Sequence, residues 1–104
     1  MEDVSFKYSN RQQYVFQNMN ISIKPGQKVA FVGASGCGKS TIMQLLQRFY
    51  LPESGKITIN KIDIKDFDIH YLRSCLGVVS QEPVLFNSSF RDNIKYNKYD
   101  ATEE

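Results

Sequence analysis

"GASGCGKST", residues Gly33 to Thr41, stands directly after the apolar run "VAFV" at 29–32 and directly before "IMQLLQRF" at 42–49. The run from Val29 to Val32 predicts a strand buried on both faces, because nothing polar alternates within it. Beyond the loop, Ile42, Leu45, Leu46 and Phe49 recur at i, i+3, i+4 and i+7, predicting an amphipathic helix over about 39–50. The stretch is therefore a glycine-rich connection from a buried strand into a helix. Gly33, Gly38, Lys39 and Ser40 satisfy G-x-x-x-x-G-K-[ST], the phosphate-loop signature, in the strand–loop–helix setting that gives the signature its meaning.

Phosphate oxygens need several converging N–H donors. Glycines let successive backbone N–H groups point inward with no Cβ in the way, and the helix opening near Lys39 adds its unpaired N–H groups and positive dipole end. Lys39 would reach the β- and γ-phosphates, Ser40 would bring a hard oxygen to Mg²⁺, and Thr41 would touch the α-phosphate. The bland alternative is a glycine-rich turn ahead of a surface helix. Four specified positions recur by chance only on the order of once in tens of thousands of windows, which favours the phosphate site.

Upstream, Val4, Phe6 and Tyr8 alternate with Ser5 and Lys7, predicting a half-buried strand. "YVFQ" and "MNISIK" read as two further short strands stopped by Pro25 and Gly26, so the first third is expected to be an antiparallel sheet. Downstream, "KITI" reads as a strand and "DFDIHYLRSCL" as a short helix capped by Asp66 or Asp68. "GVVS" reads as another buried strand, "QEPVLFNSS" as a loop, and "SSFRDNIKY" as a helix beginning at Ser88 or Ser89. The polar end "NKYDATEE" offers nothing to pack. The expected fold is α/β with a P-loop core and an antiparallel β subdomain at the amino end.

A chain of 104 residues, 41% of them apolar, fits one small folded domain or a piece of a larger one. A formal net charge of +2 argues against general nucleic-acid binding and makes any anion site a local feature. Cys37 and Cys75 lack metal or disulfide spacing, which fits a reducing compartment. No run approaches the roughly 20 apolar residues of a membrane span, and "MEDVSFKY" has no signal-peptide character.

From "VSFKY" through "GASGCGKST", "RFYLPESGKI" and "LGVVSQEPVLF" to "DNIKY", the chain resembles the nucleotide-binding domain of ABC transporters, multidrug exporters of the P-glycoprotein kind above all. The resemblance implies ATP and Mg²⁺ as ligands. It assigns Tyr8 to adenine stacking, Arg11 and Val15 to the ribose and adenine sides, and Gly33, Ser35, Gly36, Cys37, Gly38, Lys39, Ser40 and Thr41 to the Walker A cradle. Cys37 there is a small filler that the family tolerates. Gln81 matches the Q-loop glutamine that joins Ser40 at Mg²⁺, and "EPVLFNSS" matches the segment that receives a coupling helix of the transmembrane domains.

The resemblance further implies a head-to-tail dimer with a second nucleotide-binding domain, at the cytosolic face of a membrane, and no nucleic-acid partner. The family's hydrolytic parts do not occur in these 104 residues. There is no LSGGQ-type signature loop, no Walker B strand followed by a catalytic Glu, and no switch histidine, His70 preceding the Q-loop. Residues 1–104 are thus expected to be a partial nucleotide-binding domain with no catalytic residue of its own. Two rivals stand beside this reading: a soluble ABC ATPase of DNA repair or translation, and an inactive nucleotide-binding piece.

Overall fold

Burial of Val4 and Phe6 organises the amino-terminal third. A computed structural model describes residues 1–96, 98, 100 and 102; of "NKYDATEE", positions 97, 99, 101, 103 and 104 lie outside the described residues. Strand β1, Glu2–Phe6, pairs antiparallel with β2, Phe16–Met19, at Val4↔Met19 and Phe6↔Phe16, and with β3, Ser54–Lys56, at Glu2↔Lys56 and Ser5↔Ser54. The order is β2-β1-β3. The antiparallel sheet expected from the sequence is therefore present, shifted in detail. Both pairings carry an irregularity, and at one of them the Ser5 hydroxyl accepts the Asn18 N–H at 2.9 Å, which leaves Ser5 buried beside Val4 and Phe6. Tyr8 lies two residues beyond the end of β1.

"YVFQ" and "MNISIK" form one strand rather than two. Past Met19 the chain stays tied to the amino end by Met1 and Ile21, whose backbone groups exchange bonds of 2.9 and 3.1 Å, and by the Asn20 side chain, which accepts the Asp3 N–H at 3.0 Å and donates to the Asp3 carboxylate at 2.9 Å. β4, Thr58–Ile59, and β5, Ile62–Asp63, make a hairpin whose two turn residues, Asn60 and Lys61, both have positive φ, at 50° and 69°. That is the left-handed pair a tight hairpin demands, and it matches the twist of the strands.

Helix α1, Lys39–Leu46, begins where the sequence pattern put it and stops four residues early. Ile42 and Leu45 are buried with Val4, Phe6, Ile57, Ile64 and Leu72, forming the core. Phe49, the last member of the predicted stripe, is 57% exposed because Arg48 turns to φ 55° and breaks the helix. The Arg48 guanidinium then donates to the carbonyls of Ile64 (3.0 Å) and Phe67 (2.7 Å), fastening the end of α1 to the chain leading into α2. Helix α2, Ile69–Ser74, is capped by Asp68, the second of the two candidates, whose carboxylate accepts the Tyr71 N–H at 2.9 Å. Helix α3, Phe90–Ile94, is capped by Ser89 in the same way.

Two expected strands are absent among the described residues. "KVAFV" and "GVVS" form no regular secondary structure, with Val32 at 93% and Val79 at 99% exposure. An apolar run states what a segment needs covered; no described strand pairs with these two, and of their large apolar side chains only Phe31 is half-buried. The radius of gyration, 16.3 Å, accordingly exceeds the about 13 Å of a compact domain this long. No described helix is long and apolar enough to cross a membrane.

Candidate functional site

The loop ahead of α1 is shaped by two glycines in the left-handed region, Gly36 at φ 81° and Gly38 at φ 98°. Gly38 is the residue before the first turn and carries no side chain to cap it, so the first N–H groups of α1 lack the side-chain acceptor that Asp68 and Ser89 give α2 and α3. Gly38 also sits under β2: a Cβ there would lie 2.6 Å from Val15 Cγ1 and 3.2 Å from Phe16 Cδ1. Only glycine meets both demands, the backbone angle and the contact.

Between this loop and the chain after β1 opens a cleft of about 620 Å³, lined by Tyr8, Arg11, Val15, Ser35, Gly36, Gly38, Lys39, Ser40, Thr41 and Gln81. Ten of the twelve residues singled out from the sequence thus meet on one surface. Gly33 and Cys37 do not line it; they lie behind the lysine. The Lys39 ammonium donates to the carbonyls of Gly33 and Ala34, both at 2.6 Å, and stands 3.4 Å from Cys37 Sγ. The thiol in turn occupies the space that a Cβ on Gly33 would need. Another cavity, of about 350 Å³, is lined mostly by apolar side chains such as Ile21, Phe31 and Ile42 and gathers no comparable set of donors.

Tyr8 is held from three sides. Its ring meets Phe6 and Tyr50 edge-on, with centroids 5.0 and 5.3 Å away, and the Arg11 guanidinium stands 6.0 Å from its centroid. Its hydroxyl bonds Thr41 Oγ1 at 2.8 Å and Gln44 Oε1 at 2.9 Å. Gln44 was missed from the sequence. Its signal is its place one turn after Thr41 on the same helix. Gln81 reaches the cleft from the loop that follows "GVVS", although that segment forms no strand.

The cleft's charged side chains are Arg11 and Lys39, and it contains no carboxylate or imidazole, so it favours anions. For a divalent cation the described residues form no His, Cys, Asp or Glu cluster. The cleft's side-chain oxygens, those of Tyr8, Ser35, Ser40, Thr41 and Gln81, are all neutral, and those of Tyr8 and Thr41 are already bonded to each other. A sparse, neutral set of hard oxygens fits Mg²⁺, which keeps several waters and takes its remaining ligands from phosphate oxygens.

A family profile described as "ABC transporter" matches residues 16–104. The chain belongs to the ABC transporter family. It is 54% identical over 95 residues, 90% of its length, to "ATP-binding cassette sub-family B member 5" of Mus musculus. It is 49% identical over 104 residues, 99% of its length, to "Multidrug resistance protein homolog 65" of Drosophila melanogaster. It is 47% identical over 105 residues, its whole length, to "ABC transporter B family member 21" of Arabidopsis thaliana. The chain spans 8% of the length of each of these relatives. Its fold class is the P-loop ATPase core of this family, truncated, with an amino-terminal antiparallel sheet, and the relatives it matches include members of subfamily B.

Proposed function

We propose that this ABC chain is the ATP-holding half of a nucleotide site in an exporter, coupling ATP binding and hydrolysis to transport across a membrane. The observation that carries the reading is the joining, in one carboxylate-free cleft, of the Gly36–Thr41 loop with Tyr8 and Gln81. Loop N–H groups and the amino end of α1 hold the phosphates. Lys39 trades a carbonyl of its own loop for a phosphate oxygen, so its charge is delivered from a pre-arranged position. The Tyr8 ring stacks on adenine, with Arg11 and Val15 beside it. Ser40 and Gln81 hold Mg²⁺, which when bound neutralises phosphate charge.

A second nucleotide-binding domain closes the site head-to-tail, and coupling helices of the transmembrane domains dock at the loop after Gln81. Both partners, and a position at the cytosolic face of the membrane, follow from the exporter reading. The relatives' names, among them a multidrug resistance protein, support it. Calorimetric titration of Mg-ATP into the chain and into Lys39→Ala tests the site. Loss of one charge-assisted phosphate contact is expected to weaken binding about ten- to a hundredfold. Equal affinities would refute the assignment of Lys39.

A further inference from the structure

The base platform at Tyr8 is not held by the strand that precedes it. β1 ends at Phe6, and the backbone at Tyr8 is irregular. Edge-on contacts with Phe6 and Tyr50 set the tilt of the ring. What fixes the ring along its own axis is its hydroxyl, bonded at 2.8 Å to Thr41 and at 2.9 Å to Gln44.

The order of donors in this trio follows from inventory. Gln44 Oε1 can only accept, so the single phenolic proton goes to Gln44. The Tyr8 oxygen must then accept from the Thr41 hydroxyl, which is buried. The phenol is thereby spent on α1, the helix whose amino end opens on the phosphate loop. None of it is left to read the edge of a base.

We infer that Gln44, which does not line the cleft, is a positioning residue: by accepting the Tyr8 proton it locks the stacking ring to α1 and sets the distance between base platform and phosphate cradle. The inference rests on the proposed stacking role of Tyr8 and deepens it. It makes two demands. Adenine nucleotides should feel the loss of Gln44 while base-free polyphosphate does not, and the effect should vanish once the phenolic hydroxyl is gone.

The test is calorimetric binding of Mg-ATP and of inorganic triphosphate with Mg²⁺ to the chain, Tyr8→Ala, Tyr8→Phe, Gln44→Leu and the double variant. Leucine keeps the helix propensity of α1 and removes only the acceptor. Gln44→Leu and Tyr8→Phe should each weaken Mg-ATP about three- to tenfold, the range of one neutral hydrogen bond, with triphosphate changed less than about twofold. The double variant should be no weaker than either single one. Tyr8→Phe attacks the same bond from the other end, so native-like ATP binding by it overturns the inference even if Gln44→Leu does not fold. So do equal losses of ATP and triphosphate in Gln44→Leu, or additive losses in the double variant. If Tyr8→Ala weakens both ligands alike, the stacking role itself fails. If Tyr8→Ala weakens ATP alone while Gln44→Leu binds like the native chain, stacking stands and positioning by Gln44 is refuted.

Discussion

Replacing Gly38 by alanine separates the two demands that meet at the head of α1. The first is conformational: at φ 98° and ψ 6° the backbone is left-handed, and a Cβ there costs about 1–2 kcal/mol. The second is steric. The new Cβ would stand 2.6 Å from Val15 Cγ1 and 3.2 Å from Phe16 Cδ1, and relieving such overpacking costs a further about 1–3 kcal/mol. Gly38→Ala should therefore destabilise the chain by about 2–5 kcal/mol. Gly36→Ala is the internal control, since Gly36 has φ 81° but nothing within 4 Å of a Cβ. It should cost only the conformational share, about 1–2 kcal/mol. Both substitutions stiffen the unfolded chain equally, so that contribution cancels in the comparison. Urea denaturation followed by far-UV circular dichroism measures the difference. Made in a Val15→Ala background, which deletes the nearer obstacle, Gly38→Ala should fall towards the cost of Gly36→Ala. If Gly38→Ala is no costlier than Gly36→Ala, or if its cost is unchanged beside Val15→Ala, the packing of β2 on the phosphate loop is not what makes Gly38 necessary.

The Asp68 carboxyl is held below its ordinary 3.8, chiefly by the Tyr71 N–H that it accepts at the head of α2. A depressed carboxyl stabilises the fold above its unfolded value and loses that contribution as pH falls through the folded one; the melting-temperature gap between the chain and Asp68→Ala should be constant above pH 3.8 and close in stronger acid, and a gap independent of pH would refute the cap. Hydrolysis needs a group to orient and deprotonate water, and no residue lining the cleft is a carboxylate or imidazole. Phosphate release from Mg-ATP by this chain should stay at the buffer rate, and turnover that disappears in Lys39→Ala would contradict that.

What these 104 residues settle by themselves is local. The left-handed glycines ahead of Lys39 and the caps at Asp68 and Ser89 depend on torsions and contacts within about one or two helical turns, where residue type is decisive. The loop signature is legible for the same reason: phosphate chemistry is written into consecutive backbone units. The runs at 29–32 and 77–80 carry a demand for cover, but a strand exists only where a partner supplies the other half of each hydrogen bond, and no residue states its partner. The helix stripe failed at Phe49 because Arg48 gave its guanidinium to carbonyls 16 and 19 residues away, a bargain invisible to periodicity. The cleft is also a tertiary product. Tyr8 reaches Thr41 across 33 residues and Gln44 across 36. Resemblance to a family named Tyr8, while only folding could reveal which helix side chain takes its proton, because hydrogen-bond partners are chosen by convergence in space and not by spacing along the chain.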